Sequence, residues 1–265
     1  MSAPELVALM LADARLPTGG HTQSNGLEPA VRAGLGADGN HLEDVAAYAR
    51  DRLRTVTRVE AATAAVTRHL ILHPSPPSRA KRLDPAPPSR GERLGSDDQS
   101  PRLDGGPPGL AELRRAELRG VERAWAGRTG SQVLRGVSRR QGRLLLRVAS
   151  RVWPEVAEYL PGDQEVPRPI VLGVVAAVNG LSAEQLVRVV GYEDAQTVVS
   201  ASLKLLPVDP ADATAWLVGL HDDIERLVKD VAPLTDPDAI PAGGAPLIDV
   251  FAHHHATERM RLFHA

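Results

Sequence analysis

Three consecutive histidines, His253 to His255, are the side chains of this 265-residue protein best suited by type to hold a metal ion. Imidazole nitrogen binds nickel and zinc alike. Their spacing works against them. Neighbouring residues on a helix point about 100° apart, so three in a row cannot converge on one ion. A site would need donors from elsewhere. His21, His41, His69, His73, His221 and His264 read as scattered, and no H-E-x-x-H pair is present. The run is either a set of exposed histidines near a chain end or a loose, shared nickel contact.

The second candidate is LPTGGHTQSNGLE, Leu16 to Glu28, whose three glycines suggest a phosphate cradle. It fails as one. A P-loop places Lys and Ser/Thr after its last glycine, whereas His21 follows Gly20 and Leu27 follows Gly26. The G-x-G-x-x-G spacing is also absent. From its residues the stretch is a tight interhelical turn or a binding loop. Pro17 fixes one φ angle, and Gly19 and Gly20 admit positive φ. Glu28 sits early in the next helix, where its charge suits the dipole. Ser24 is not in a G-x-S-x-G elbow, so a hydrolase built on Ser24 and His21 ranks last among the readings. His221 beside Asp222 and Asp223 is ordinary helix-face decoration. The basic run SRRQGR, Ser138 to Arg143, is either a solvated helix face or a grip for an acidic partner. No acid–base pair emerges, and no catalytic residue is expected.

Composition narrows the classes further. The chain is 43% hydrophobic, enough for a real core, and has no cysteine, which removes disulfides and thiolate chemistry. Thirty-one Lys and Arg face 33 Asp and Glu, for a formal charge of −2. That balance exerts no global pull on nucleic acid or anionic membranes. Aromatics make up 3% of the chain, leaving little on which to stack bases. An all-α nucleic-acid-binding regulator using SRRQGR is therefore the weaker alternative. The N-terminal apolar run, Leu6 to Leu11, lacks a preceding basic residue, and no segment approaches the roughly 20 apolar residues of a membrane span. A cytoplasmic protein is expected.

The elements that must position these residues are helical. Apolar residues recur at three and four from Glu5 to Ala14, near Ser24 to Gly34, and from Asn40 through Leu53 and Val56 to Leu72. Asn40 is a cap candidate with Glu43 three residues on. The pattern resumes from Leu110 as a strongly charged helix, then over Ser131 to Trp153 until Pro154. Ile170 to Val178 is apolar throughout and fits a strand or a core helix. Ser182 caps the next helix, and Gln196 to Leu206 is a further apolar stretch. Asp209 opens a long helix to Val231, and Leu247 to Met260 forms a last one. No strand alternation or hairpin signal appears. The fold class is all-α: a single domain made of residues 1–72 and 110–265. Residues 73–109 carry nine prolines and no aromatic residue, and PPSRAKRLD at Pro76 returns as PPSRGERLG at Pro87. Such a segment cannot bury enough surface to offset its ordering entropy, so a disordered insertion is expected.

Four blocks, in order, carry a family resemblance. Leu16, Pro17, Gly19, Ser24, Gly26, Leu27 and Glu28 fit the pattern L-P-x-G-x-x-x-x-S-x-G-L-E. Arg139, Gln141, Gly142 and Arg143 fit a mid-chain R-x-Q-G-R. VVSASLKLLPVDP brings the basic Lys204 before Leu and Pro. PLIDVFAHHHATERMRLFHA supplies Pro246, Asp249, His255, Arg261, Leu262 and Phe263. Together they resemble the urease accessory protein UreF family. Ala256, Ala265 and His21 depart from its pattern. The resemblance implies an all-α, non-catalytic adaptor without a resident cofactor. It implies binding to UreD (also called UreH), to the GTPase UreG and to apo-urease, and dimerisation. It further implies that GTP hydrolysis is coupled to insertion of nickel, which is cargo. The partner-binding residues it implies are Pro17, Gly19, Ser24, Gly26, Leu27, Glu28, Arg139, Gln141, Lys204, His255, Arg261, Leu262 and Phe263. Termini are normally mobile. The RLF tail is therefore expected to order on a partner, with Phe263 as a hot spot.

Overall fold

Alanine sets the centre of the fold. The helix Val56–Leu72 (α4) carries Ala61, Ala62, Ala64 and Ala65, all buried, so a second helix can approach its backbone closely. That second helix is Arg168–Val178 (α8), whose residues from Pro169 to Ala177 are all buried. Ile170 to Val178 is thus a core helix rather than a strand. The computed structural model describes residues 3–18, 20–36, 39–74, 110–162 and 164–263. Gly19 and almost all of the expected insertion, residues 75–109, lie outside the described residues.

The other helices wrap this pair. They are Pro4–Ala12 (α1), Leu27–Arg32 (α2), Asp44–Arg54 (α3), Leu110–Arg128 (α5), Gln132–Val152 (α6), Val156–Tyr159 (α7), Ala183–Leu205 (α9), Pro210–Gly219 (α10), His221–Val231 (α11) and Pro246–Thr257 (α12). Among the described residues there is no strand, and the fold is all-α. The long α9 is the spine of one side and touches α1, α2, α3, α4, α10 and α11. Its start is a capping box: the Gln185 N–H donates to Ser182 Oγ, and the Ser182 N–H donates back to Gln185 Oε1. At the start of α6, Ser131 Oγ accepts the Leu134 N–H at 3.3 Å, a simple cap without the return bond. α6 and α5 cover the opposite side of α4 and α8, with Trp125 fully buried between them and the core.

Several expected boundaries shift. The single helix expected from Asn40 to Leu72 is two, broken at Thr55, whose φ and ψ of −123° and −93° leave the helical region. α3 is preceded by Glu43 and has no side-chain cap, so Asn40 does not cap it. The helix expected from Asp209 to Val231 breaks at Leu220 into α10 and α11, whereas α9 runs unbroken through the two stretches read as separate. α5 is not merely a solvated helix, since Leu118, Val121 and Trp125 face inward. Among the described residues no helix is long and apolar enough to cross a membrane.

Candidate functional site

The SNGLE stretch turns the chain by two consecutive left-handed residues, Asn25 at φ 51° and Gly26 at φ 82°. Such angles suit asparagine and glycine. A side chain at Gly26 would also strike the Tyr48 hydroxyl, 2.6 Å from the Cβ position. The turn starts α2 and sends Glu28 into the interior, where it is 1% exposed.

Glu28 is the centre of a clamp on the C-terminal tail. Oε1 accepts the Leu262 N–H at 2.9 Å, and Oε2 accepts the Phe263 N–H at 3.0 Å. One helical turn on, Arg32 pairs with Glu28 at 2.7 Å, with Glu258 at 2.7 Å, and donates to the Met260 carbonyl at 2.6 Å. His255, buried on α12, has Nε2 3.2 Å from the Phe263 carbonyl. A carbonyl only accepts, so Nε2 carries a proton. Lys204, at the end of α9, places its ammonium 5.2 Å from the Phe263 ring centre. The Phe263 ring itself is 4% exposed. The signature residues 27–28, Lys204, His255 and the terminal RLF therefore meet at one place, although they are far apart in sequence.

Beneath the clamp lies a cavity of about 670 Å³ between α3, α4, α6, α8, α9 and α12. Several of the charges on its wall are paired within the chain. Arg52 on α3 makes a two-point bridge to Asp194 on α9, at 2.6 and 3.0 Å, and donates to the Asn25 carbonyl at 3.0 Å. Thr57 and Asn25 also donate to Asp194. Burial alone would lower the Arg52 pKa, but the Asp194 carboxylate and its hydrogen bonds raise it. Burial pushes the neighbouring Tyr48 hydroxyl up to about 12. Across the cavity Arg168 pairs with Glu193. Glu60 accepts from the Trp125 indole at 2.9 Å and from Ser138 Oγ at 3.1 Å. Its removal from water raises its pKa above the usual 4.5, against the pull of Trp125, Arg168 and Ser138. These contacts satisfy buried polar groups and hold helices together.

The R-x-Q-G-R block forms one edge of the same cavity. Gly142 is required by close approach: a Cβ there would lie 1.9 Å from the Val166 carbonyl. Gln141 lines the cavity, while Arg139 bonds Glu122 at 2.9 Å and covers the Trp125 ring at 5.3 Å. Arg139 is thus engaged within the chain, which weakens the reading of SRRQGR as a grip for an acidic partner.

Comparison with known proteins agrees with this convergence of signature blocks. A model of the UreF family matches residues 40–221. The chain belongs to the UreF family. It is 30% identical over 260 residues to a urease accessory protein UreF from Mycolicibacterium vanbaalenii, spanning 96% of each chain. A protein of the same name from Mycobacterium bovis is 31% identical over 263 residues, covering 96% of this chain and 95% of the relative. One from Mycobacterium marinum is 29% identical over 259 residues.

For this UreF-family chain the structure sorts the expected partner-binding residues by burial, with Gly26, Arg139 and Gln141 half-buried. Ser24, Leu27, Glu28, His255 and Phe263 are buried inside the chain. The tail is docked rather than loose, and Phe263 fills this protein's own interior instead of standing free for a partner. Pro17, Lys204, Arg261 and Leu262 are exposed, Leu262 at 69%. Sequence reading missed Arg32, Arg52, Asp194 and Glu60. Arg52 had left a signal, as a charge on the buried stripe of Val45, Tyr48, Ala49 and Leu53. It also missed that His69 and His73 stand four apart. Among the described residues no group of three or more His, Cys, Asp or Glu is placed to hold a metal ion, and the three histidines of α12 diverge, with only His255 buried.

Proposed function

We propose that this chain is a urease accessory protein working as a non-catalytic adaptor. It binds UreD (UreH) and the GTPase UreG, docks with them on apo-urease, and helps couple GTP hydrolysis to nickel insertion. Nickel is cargo in this reading, no resident cofactor is needed, and the adaptor acts as a homodimer in the cytoplasm. The observation that carries the reading is the likeness, along 96% of the chain, to proteins named urease accessory protein UreF. The site supports it in physical terms. The tail clamp holds residues 258–263 in a fixed path and presents Met260 and Leu262, 81% and 69% exposed, beside Arg261. Large apolar groups next to an arginine, held on a rigid support, suit a protein interface. The ion pairs Arg52–Asp194 and Arg168–Glu193 on the cavity wall tie helices together and suit support rather than turnover.

Complementation tests this directly. In cells carrying a urease gene cluster without its own UreF, this chain restores nickel content and urease activity. The variant Leu262→Asp, exposed and harmless to the core, restores much less. Urease that stays nickel-free in the presence of the wild-type chain contradicts the proposal.

A further inference from the structure

The last turn of α4 carries an imidazole pair that the tail clamp and the cavity do not use. His69 and His73 are one helical turn apart, with ring centres 4.7 Å apart and planes inclined at 39°. The His73 N–H still donates to the His69 carbonyl at 2.8 Å, so both residues ride on the same helical turn. Side chains four apart lie on one helix face. Thr67 and Ile71 on either side of His69 are buried, which anchors this turn to the core, while His69 is half-buried and His73 exposed.

We propose that His69 and His73 form a two-imidazole binding site for a late first-row divalent cation, Ni²⁺ or Cu²⁺. Imidazole is a preferred ligand for these ions, and affinity rises through nickel to copper. Metal–nitrogen bonds of roughly 2.0–2.1 Å put two donors on one ion about 3 Å apart, within reach of neighbouring rings on one turn. The pair lies at a helix C-terminus, whose negative dipole end favours a cation. Neutral imidazole is the ligating form, and it is available at neutral pH. Arg68 is the opposing charge, but its Nε–H is held by the Leu181 carbonyl. Two protein ligands leave coordination positions open, so the ion exchanges readily. The inference does not rest on the accessory reading, because it follows from the pair alone.

The test is calorimetric titration of the full chain with nickel chloride and with copper chloride in a non-chelating buffer at neutral pH. Wild type binds one ion of each, copper more tightly. His73→Gln, at an exposed position that leaves the core alone, weakens both by about tenfold or more. The double variant His253→Gln/His254→Gln binds as wild type does. Absence of binding to wild type overturns the proposal. So does binding that survives in His73→Gln, or that disappears in the His253/His254 variant. Complementation of urease by His73→Gln is read separately, so that loss of the metal site and loss of the accessory role are distinguishable.

Discussion

Glu28 shows how one carboxylate can tie a chain end to the core. It is almost fully removed from water, yet both oxygens receive backbone N–H groups of the tail and Arg32 closes the pair. Hydrogen bonds to a charged group contribute about 1.5–3 kcal/mol, so Glu28→Gln is expected to cost about that much in urea denaturation and to release the Leu262 and Phe263 amides to fast hydrogen exchange. Unchanged exchange at those amides contradicts the clamp. Phe263→Ala empties a core position and costs about 3 kcal/mol, the lower end for a buried phenylalanine, because a terminal tail can relax. Its effect on any partner then works through the undocked tail. Glu60 makes the opposite contribution. Its raised pKa means that the folded chain holds a proton the unfolded chain releases, so this contribution to stability falls as pH rises above about 4.5 through the folded value. Glu60→Gln keeps an acceptor for the Trp125 indole and removes the titration. Its melting temperature relative to wild type is expected to climb through that window and then level off. A constant difference across pH refutes the assignment.

Between elements, backbone proximity decides more than side-chain volume. Gly142→Ala drives a methyl into the Val166 carbonyl and is expected to cost about 3 kcal/mol by pushing α6 off α8. Gly120→Ala on α5 meets nothing within 4 Å and should stabilise by about 0.5–1 kcal/mol through helix propensity alone. Urea denaturation of both variants checks the pair, and a neutral Gly142→Ala would mean that the approach is looser than described. These elements also mark what the sequence made legible. Helix type followed from apolar spacing, and the Ser182 cap from its side chain. The break at Thr55 carries neither glycine nor proline, so local chemistry did not announce it, whereas Gly219 stands directly before the break at Leu220 and was a signal left unread. The signature residues were recognisable as a set, but their role was not. Glu28 and Phe263 are 235 positions apart, and no local rule pairs a carboxylate with two distant amides.

For the whole molecule, the fold closes around α4 and α8 while its signature blocks gather at one end. The 73–109 segment, with its nine prolines, is expected to contribute nothing to that core. Excising residues 75–108 should leave the melting temperature essentially unchanged; a large drop would make the segment part of the fold. We propose this scaffold as an adaptor that presents its clamped tail to partners. The most direct measurement is co-expression with UreD and UreG, followed by size-exclusion chromatography with light scattering. Wild type is predicted to elute as a complex with both partners. Leu262→Asp, folded but altered at the exposed tail, should lose UreD, and Glu28→Gln should weaken the complex by freeing the tail. A wild-type chain that elutes apart from both partners would contradict the account.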